Sequence, residues 1–173
     1  MNMKNFFDND HAAEGLPMRL VVTVVLLAVI IGLSAKAVTL FINDANEKKL
    51  VGELEMIERH ASVMYLQGGA KNIDDPLDFS GTAEYIHVEI PDTTEFVAFG
   101  GMPSYDNISP DAGNLYADNV YYYVLKDGRV QTRSSIARFF SYNGEKPLVL
   151  YPGEYDLKME LIKNKNGTYV KIE

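Results

Sequence analysis

Cysteine and tryptophan are absent from this chain of 173 residues, and histidine occurs only three times. Without cysteine the chain has no disulfide, no thiol nucleophile, no cysteine-ligated zinc and no iron–sulfur cluster. The HExxH, GxSxG, P-loop and dinucleotide-binding motifs are missing as well. These absences predict a protein that is not an enzyme, with no catalytic residues, no metal ligands and no cofactor.

Basic residues are also scarce, with 16 Lys and Arg against 24 Asp and Glu and a formal net charge of −8. The residues after Lys71 include 16 acids and nine bases, so that part alone carries −7. Nucleic acids bind to dense basic surfaces, and no such surface is encoded here. We therefore expect no nucleic-acid partner. The length allows one ordinary domain, or a smaller domain beside a segment that is not globular.

One long apolar run stands near the beginning of the sequence. Residues 20–35 read LVVTVVLLAVIIGLSA without a charge, and the apolar character resumes after Lys36 as far as residue 42. A hydrocarbon core of about 30 Å needs about 20 helical residues, and Arg19 and Lys36 can extend their charges toward the interfaces. We predict a polar leader at residues 1–17 and a transmembrane helix at residues 18–42, surrounded by membrane lipid.

Two other interpretations of this run stay open. A buried core helix is disfavoured because the run has no polar face. A cleavable secretory signal is the stronger rival, since Ala35-Lys36-Ala37 offers an Ala-x-Ala site, although the preceding segment lacks a clearly positive region. Lys and Arg do not fix the orientation, because they are sparse at both ends of the run. The size of the following part favours a single-pass cell-membrane protein with its C-terminal domain outside the cytoplasm, and the opposite orientation is the alternative.

The next segment, residues 43–70, is rich in good helix formers and contains no proline. Five of its apolar residues are spaced 4, 3, 4 and 3 apart, which places them on one stripe of an amphipathic helix. This docking stripe consists of Leu50, Leu54, Ile57, Ala61 and Met64. Gly68-Gly69 supplies a stop signal after Leu66.

Beyond residue 71 the apolar period becomes alternating, which predicts six or seven short strands in a small antiparallel β-domain at residues 71–173. Hairpin turns are expected at Asp127-Gly128 and Asn166-Gly167. The fold class is therefore α+β: a long N-terminal helix, first transmembrane and then amphipathic, followed by an antiparallel β-domain. One face of that domain needs cover, and the docking stripe is the obvious cover.

The sequence contains candidate metal ligands, glycosylation sequons and a run of tyrosines. His87 and Glu89 share a strand face but are too few for a metal site. Oxygen ligands of the kind that calcium accepts occur at Asp74, Asp75 and Asp78 and in the span 104–119, but their spacing matches no EF-hand and a solvated loop explains them equally well. Asn166-Gly167-Thr168 is a glycosylation sequon, and Asn107-Ile108-Ser109 is a second one that is followed by Pro110. The run Tyr121-Tyr122-Tyr123 suggests either ordinary strand propensity or an aromatic contact surface.

Within the apolar run, Ala28 and Gly32 are four residues apart, with Ala35 near the same side. Small residues at this spacing let helices approach closely and pack.

A polar leader, an apolar helix that continues into an amphipathic one and a β-rich head resemble type IV pilins and archaeal pilin-like proteins. Residues 14–33, EGLPMRLVVTVVLLAVIIGL, look like the N-terminal segment of uncharacterised archaeal single-span membrane proteins of this kind. The resemblance implies peptidase cleavage between Gly15 and Leu16, and apolar helices that associate with their own copies or with other pilin-like subunits. Glu14 stands where Lys or Arg commonly precedes the cut, and Leu20 stands where bacterial pilins have glutamate. The resemblance therefore favours a minor or non-polymerising pilin-like protein.

The sequence thus predicts a non-enzymatic, membrane-anchored structural or assembly component of the cell surface. The alternative is a membrane-tethered extracytoplasmic binding domain that never polymerises.

Overall fold

The computed structural model describes the backbone of residues 10–103, 117–140 and 147–173, and the side chains of these residues from residue 18 onward except that of Phe140. The chain divides into two compact units, Met1–Asp44 and Ala45–Glu173. The fold class is the predicted one, α+β, with one long N-terminal helix followed by sheets in which antiparallel pairing predominates.

Helix α1 extends from Asp10 to Gln67. It ends where the glycine pair begins, and its last hydrogen bond is that of the Gly68 amide to the Met64 carbonyl at 2.8 Å. A Cβ at position 68 would lie 2.5 Å from that carbonyl oxygen, so a larger residue could not occupy this position without a shift of the backbone. The stop signal read from the sequence thus has a steric basis.

Nine strands follow in the part of the chain that the structure describes. They are β1 (Lys71–Asn72), β2 (Ala83–Ile90), β3 (Thr94–Phe99), β4 (Val120–Leu125), β5 (Val130–Ser134), β6 (Phe139–Phe140), β7 (Leu148–Leu150), β8 (Gly153–Asn164) and β9 (Gly167–Ile172). The count exceeds the predicted six or seven because β1 and β6 are two-residue strands, too short to show an apolar period.

The strands form two sheets. In the first, β8 pairs with β9 on one side and with β1 and β2 on the other, and β6 lies beside β9. The second has the order β5-β4-β3-β7. All pairings are antiparallel except β1 with β8 and β6 with β9, which are short parallel contacts that the prediction of an antiparallel domain did not contain.

Both predicted hairpins are present. Strands β4 and β5 are joined by a turn in which Gly128, at a φ of +86°, donates its amide to the Leu125 carbonyl at 2.8 Å. Strands β8 and β9 are in register from Met159 opposite Ile172 to Asn164 opposite Gly167. A left-handed glycine at or beside the turn is what Asp-Gly and Asn-Gly pairs provide.

The main core lies between α1 and the two sheets and contains residues from eight of the described elements. A second, smaller cluster lies on the other face of the β3–β4 sheet and includes Phe96, Ala98 and Tyr122. Strand β5 at the edge of this sheet is largely exposed, whereas β3 and β4 are buried on both faces. As a result all three consecutive tyrosines of β4 are buried, and the interpretation of Tyr121-Tyr122-Tyr123 as an exposed aromatic contact surface is wrong.

Candidate functional site

Within the unit Met1–Asp44, the described side chains include many large apolar ones that are exposed. From Met18 to Ile42 every large apolar side chain is 50–73% exposed. Helix α1 is here long and apolar enough to cross a membrane, and none of its most apolar window is buried within the protein. Because a soluble helix normally covers such residues, this segment is a candidate membrane span. We call residues 18–42 the anchor segment.

Ala28 and Gly32 both lie in the anchor segment. A Cβ at Gly32 would meet nothing within 4 Å, so no described part of the chain occupies the space beside it. The side chains around Gly15 and Leu16 lie outside the described residues, and the acidic loop at residues 104–116 does so entirely. Leader cleavage between Gly15 and Leu16 stays a prediction, and the loop's possible oxygen ligands for calcium lie outside the described residues.

The docking stripe behaves in the opposite way. All five of its members are at most 1% exposed and belong to the main core. They share that core with β-strand residues from both sheets, among them Val88, Phe99 and Met159. The second half of α1 is therefore the buried element around which the unit Ala45–Glu173 is packed.

Polar contacts flank the docking stripe on two sides. Toward the β4–β5 sheet, Arg133 Nη1 donates to Glu55 Oε1 at 3.1 Å and Arg129 Nη1 lies 2.8 Å from Glu47 Oε2. Ser135 Oγ donates to Glu58 Oε1 at 2.9 Å. These contacts fix the rotation of the helix about its own axis, since each needs a defined helix face.

Toward β2, Lys49 pairs with Glu89, and His60 Nδ1 lies 2.6 Å from Glu84 Oε2. Glu89 is therefore engaged by the helix. His87 lies opposite Asp156 in the strand register, with Nδ1 2.9 Å from Oδ1. That hydrogen bond raises the pKa of His87. Among the described residues no group of three or more His, Asp or Glu side chains is arranged to hold a metal.

One polar centre was not expected from the sequence. Arg138 Nε donates to Asp118 Oδ2 at 2.9 Å, and its guanidinium carbon lies 4.4 Å from the ring centroid of Tyr169. It connects the segment before β4 to β9, which are distant in sequence. A lone arginine beside a two-residue strand gives no periodic signal, so only the tertiary structure reveals it.

The loop between β1 and β2 exposes two large apolar side chains, Leu77 at 81% and Phe79 at 87%. Its backbone is ordered by carboxylates: Asp78 accepts from the Ser80 hydroxyl, the Ser80 amide and the Asn72 amide. These hydrogen bonds, led by that from the Ser80 hydroxyl, lower the pKa of Asp78 from 3.8 to about 2. The three hydrogen bonds to Asp78 therefore hold the backbone of the loop on which Leu77 and Phe79 are exposed.

Asn166 lies in the exposed turn between β8 and β9.

No protein-family model, no curated protein and no solved structure matches this chain. The likeness to pilins accordingly rests on the residues quoted from the sequence.

Proposed function

We propose that the chain is a non-enzymatic, single-span membrane protein that acts as a pilin-like structural or assembly component of the cell surface, with the unit Ala45–Glu173 as an extracytoplasmic head. The observation that carries this proposal is the difference in exposure between the two halves of α1. Its first half exposes every large apolar side chain, and its second half is the core of the head. One helix thus supplies both a surface for lipid or other apolar helices and the foundation of a folded domain.

The mechanism needs no chemistry from the protein. Apolar helices of neighbouring subunits would pack side by side in the membrane or in a filament core, where Ala28 and Gly32 allow a close approach. The acidic head would face the aqueous phase, where its charge keeps it soluble.

The orientation can be tested by labelling, because the chain contains no cysteine of its own. In Thr132→Cys the single thiol would lie on the exposed strand β5. We expect a membrane-impermeant maleimide to label this variant in intact cells as fully as in lysed cells. Labelling only after lysis would place the head in the cytoplasm and overturn the extracytoplasmic proposal.

Assembly and processing are tested on the native protein. Recovery in sheared-filament fractions supports a pilin-like subunit, and exclusive recovery with membranes contradicts it. Intact mass then identifies the first residue: Met1 indicates an uncut anchor, Leu16 a pilin-type product and Val38 a secreted domain.

A membrane-tethered binding domain is the second candidate function. The observation that favours it is the pair Leu77 and Phe79, which the ordered β1–β2 loop holds out in solvent. Aromatic side chains such as that of Phe79 are enriched at protein interfaces. This candidate is supported by exclusive membrane residence together with loss of a partner on Phe79→Ser.

A further inference from the structure

We propose that Asn166 is an N-glycosylation site on the head. The sugar donor would be an oligosaccharide linked to a polyprenyl phosphate or pyrophosphate, transferred by a membrane-bound oligosaccharyltransferase. The carboxamide nitrogen of Asn166 forms a bond to the anomeric carbon of the first sugar and loses a proton. The bond between that carbon and the phosphate oxygen breaks, and the lipid phosphate leaves.

The turn itself presents the acceptor. Strands β8 and β9 pair as far as Asn164 opposite Gly167, which leaves Lys165 and Asn166 as an exposed two-residue connection. The Asn166 amide donates to Asn164 Oδ1 at 2.8 Å, and the Tyr169 hydroxyl donates to the Asn166 carbonyl at 3.2 Å. The backbone of the turn is thereby held in place by its neighbours.

Glycosylation of a sequon requires the asparagine carboxamide and the hydroxyl two residues later, and both groups are available here. Within the described part of the chain, neither the Asn166 carboxamide nor the Thr168 hydroxyl makes a hydrogen bond. Gly167 between them has a φ of +144°, a conformation that a residue with a side chain rarely adopts. The sequon therefore combines an exposed carboxamide, a small middle residue and an available hydroxyl in one tight turn.

The Arg138 centre adds a reason why a glycan would be tolerated here. Arg138 and Tyr169 lie against Gly167, whereas Asn166 is exposed. An attached sugar would displace no core residue. It would also keep other protein surfaces off the β8–β9 turn, which in an assembly must then face the solvent.

The inference rests on the extracytoplasmic head of the proposed function, since sugar transfer from lipid donors takes place on that side of the membrane. The second sequon, at Asn107, lies outside the described residues and is followed by Pro110. It serves as an internal comparison, because the proposal assigns the glycan to Asn166.

The experiment is peptide mapping by mass spectrometry of the full-length protein purified from its own membranes, combined with a mobility shift before and after deglycosylation. We expect a glycan on the peptide that contains Asn166. The shift should disappear in Asn166→Gln and in Thr168→Val, which keeps the shape of the side chain but removes the hydroxyl. It should persist in Thr168→Ser and in Asn107→Gln.

The outcomes separate this inference from the function it builds on. If Thr132→Cys is labelled in intact cells and Asn166 is unmodified, the glycosylation site is wrong and the extracytoplasmic head stands. A shift that survives Thr168→Val but disappears in Asn107→Gln also overturns it. A head that is labelled only after lysis overturns both.

Discussion

The two halves of helix α1 contain similar apolar residues, but the first half exposes them and the second half buries those of the docking stripe. In the anchor segment Leu26 is 57% exposed, whereas in the docking stripe Leu54 is 1% exposed. Both leucines are helical and neither is near a break in the helix. The difference lies in the residues near them in the sequence. Leu54 belongs to an apolar stripe flanked by charged residues, whereas Leu26 lies in a run that has no charged residue on any face of the helix.

This comparison shows that burial along a helix is decided by where its polar residues lie. A helix with one apolar stripe can dock on a sheet, because its remaining faces stay hydrated. A helix that is apolar all round has no face to leave in water and needs an apolar environment on every side. Four predictions test this distinction.

The largest effect is expected for Ile57→Asp in the docking stripe. Ile57 is fully buried, and an aspartate there would place an unpaired charge in the core. We expect the free energy of unfolding of the head to fall by more than about 3 kcal/mol. Limited proteolysis of the full chain in detergent should show rapid cleavage after residue 71, and fractionation without detergent should still recover the variant with membranes.

Val63→Asp is the matched control, since Val63 lies on the same part of α1 but is exposed. It should resist protease as the wild type does. Unchanged resistance in Ile57→Asp would show that the head does not depend on the stripe.

Three leucine truncations give a graded version of the comparison. Leu54→Ala should destabilise the head by about 2–5 kcal/mol, because it removes buried methyl groups and leaves a cavity. Leu66→Ala and Leu26→Ala remove exposed side chains and should change the head's stability by less than about 0.5 kcal/mol. Urea unfolding followed by a probe in the head measures all three. Equal midpoints for Leu54→Ala and Leu66→Ala would contradict the burial described here.

A charge in the anchor segment should weaken membrane insertion and leave the stability of the head unchanged. Ile30→Asp adds about 2.5–3.5 kcal/mol to the cost of membrane insertion near the centre of a span. We expect a smaller membrane-integrated fraction on carbonate extraction and an unchanged unfolding midpoint for the head. Ile30→Leu should behave as the wild type. If Ile30→Asp stayed fully integrated and the head unfolded, the roles of the two halves would be exchanged.

The smallest effect is expected at the polar flank of the docking stripe. The Glu55–Arg133 pair is half exposed on both sides, and a double-mutant cycle with Glu55→Gln and Arg133→Gln should give about 0.2–1 kcal/mol. The coupling should become weaker at 1 M salt, where the screening length of about 3 Å is close to the distance between the two charged groups. Coupling that is insensitive to salt would mean that hydrogen bonding alone carries the contact.

The sequence predicted those elements whose signal is local. The apolar run, the 4-3-4-3 stripe and the two glycine-containing hairpins depend on neighbouring residues, and each corresponds to an observed element. Gly68 marked the end of α1 within one residue because the reason is steric and local.

The sequence did not predict what depends on distant partners. Alternation puts at least one of the three tyrosine rings of β4 on the face away from the main core; this ring is Tyr122, and it is buried there. The polar contacts of the helix join residues far apart in the chain, such as Glu55 with Arg133, which are separated by 78 positions. Strands β1 and β6 exist only because β8 and β9 lie beside them.

The chain positions that build the core also set the order of events during synthesis. The docking stripe ends at Met64, but it packs in one cluster with Val170 and Ile172 from β9. At a translation rate of about 5–20 residues per second, the stripe waits roughly 5–20 s for these partners. The anchor segment leaves the ribosome before any of this packing exists. The anchor segment can therefore meet a membrane or another helix while the head is still unfolded and its apolar stripe is uncovered.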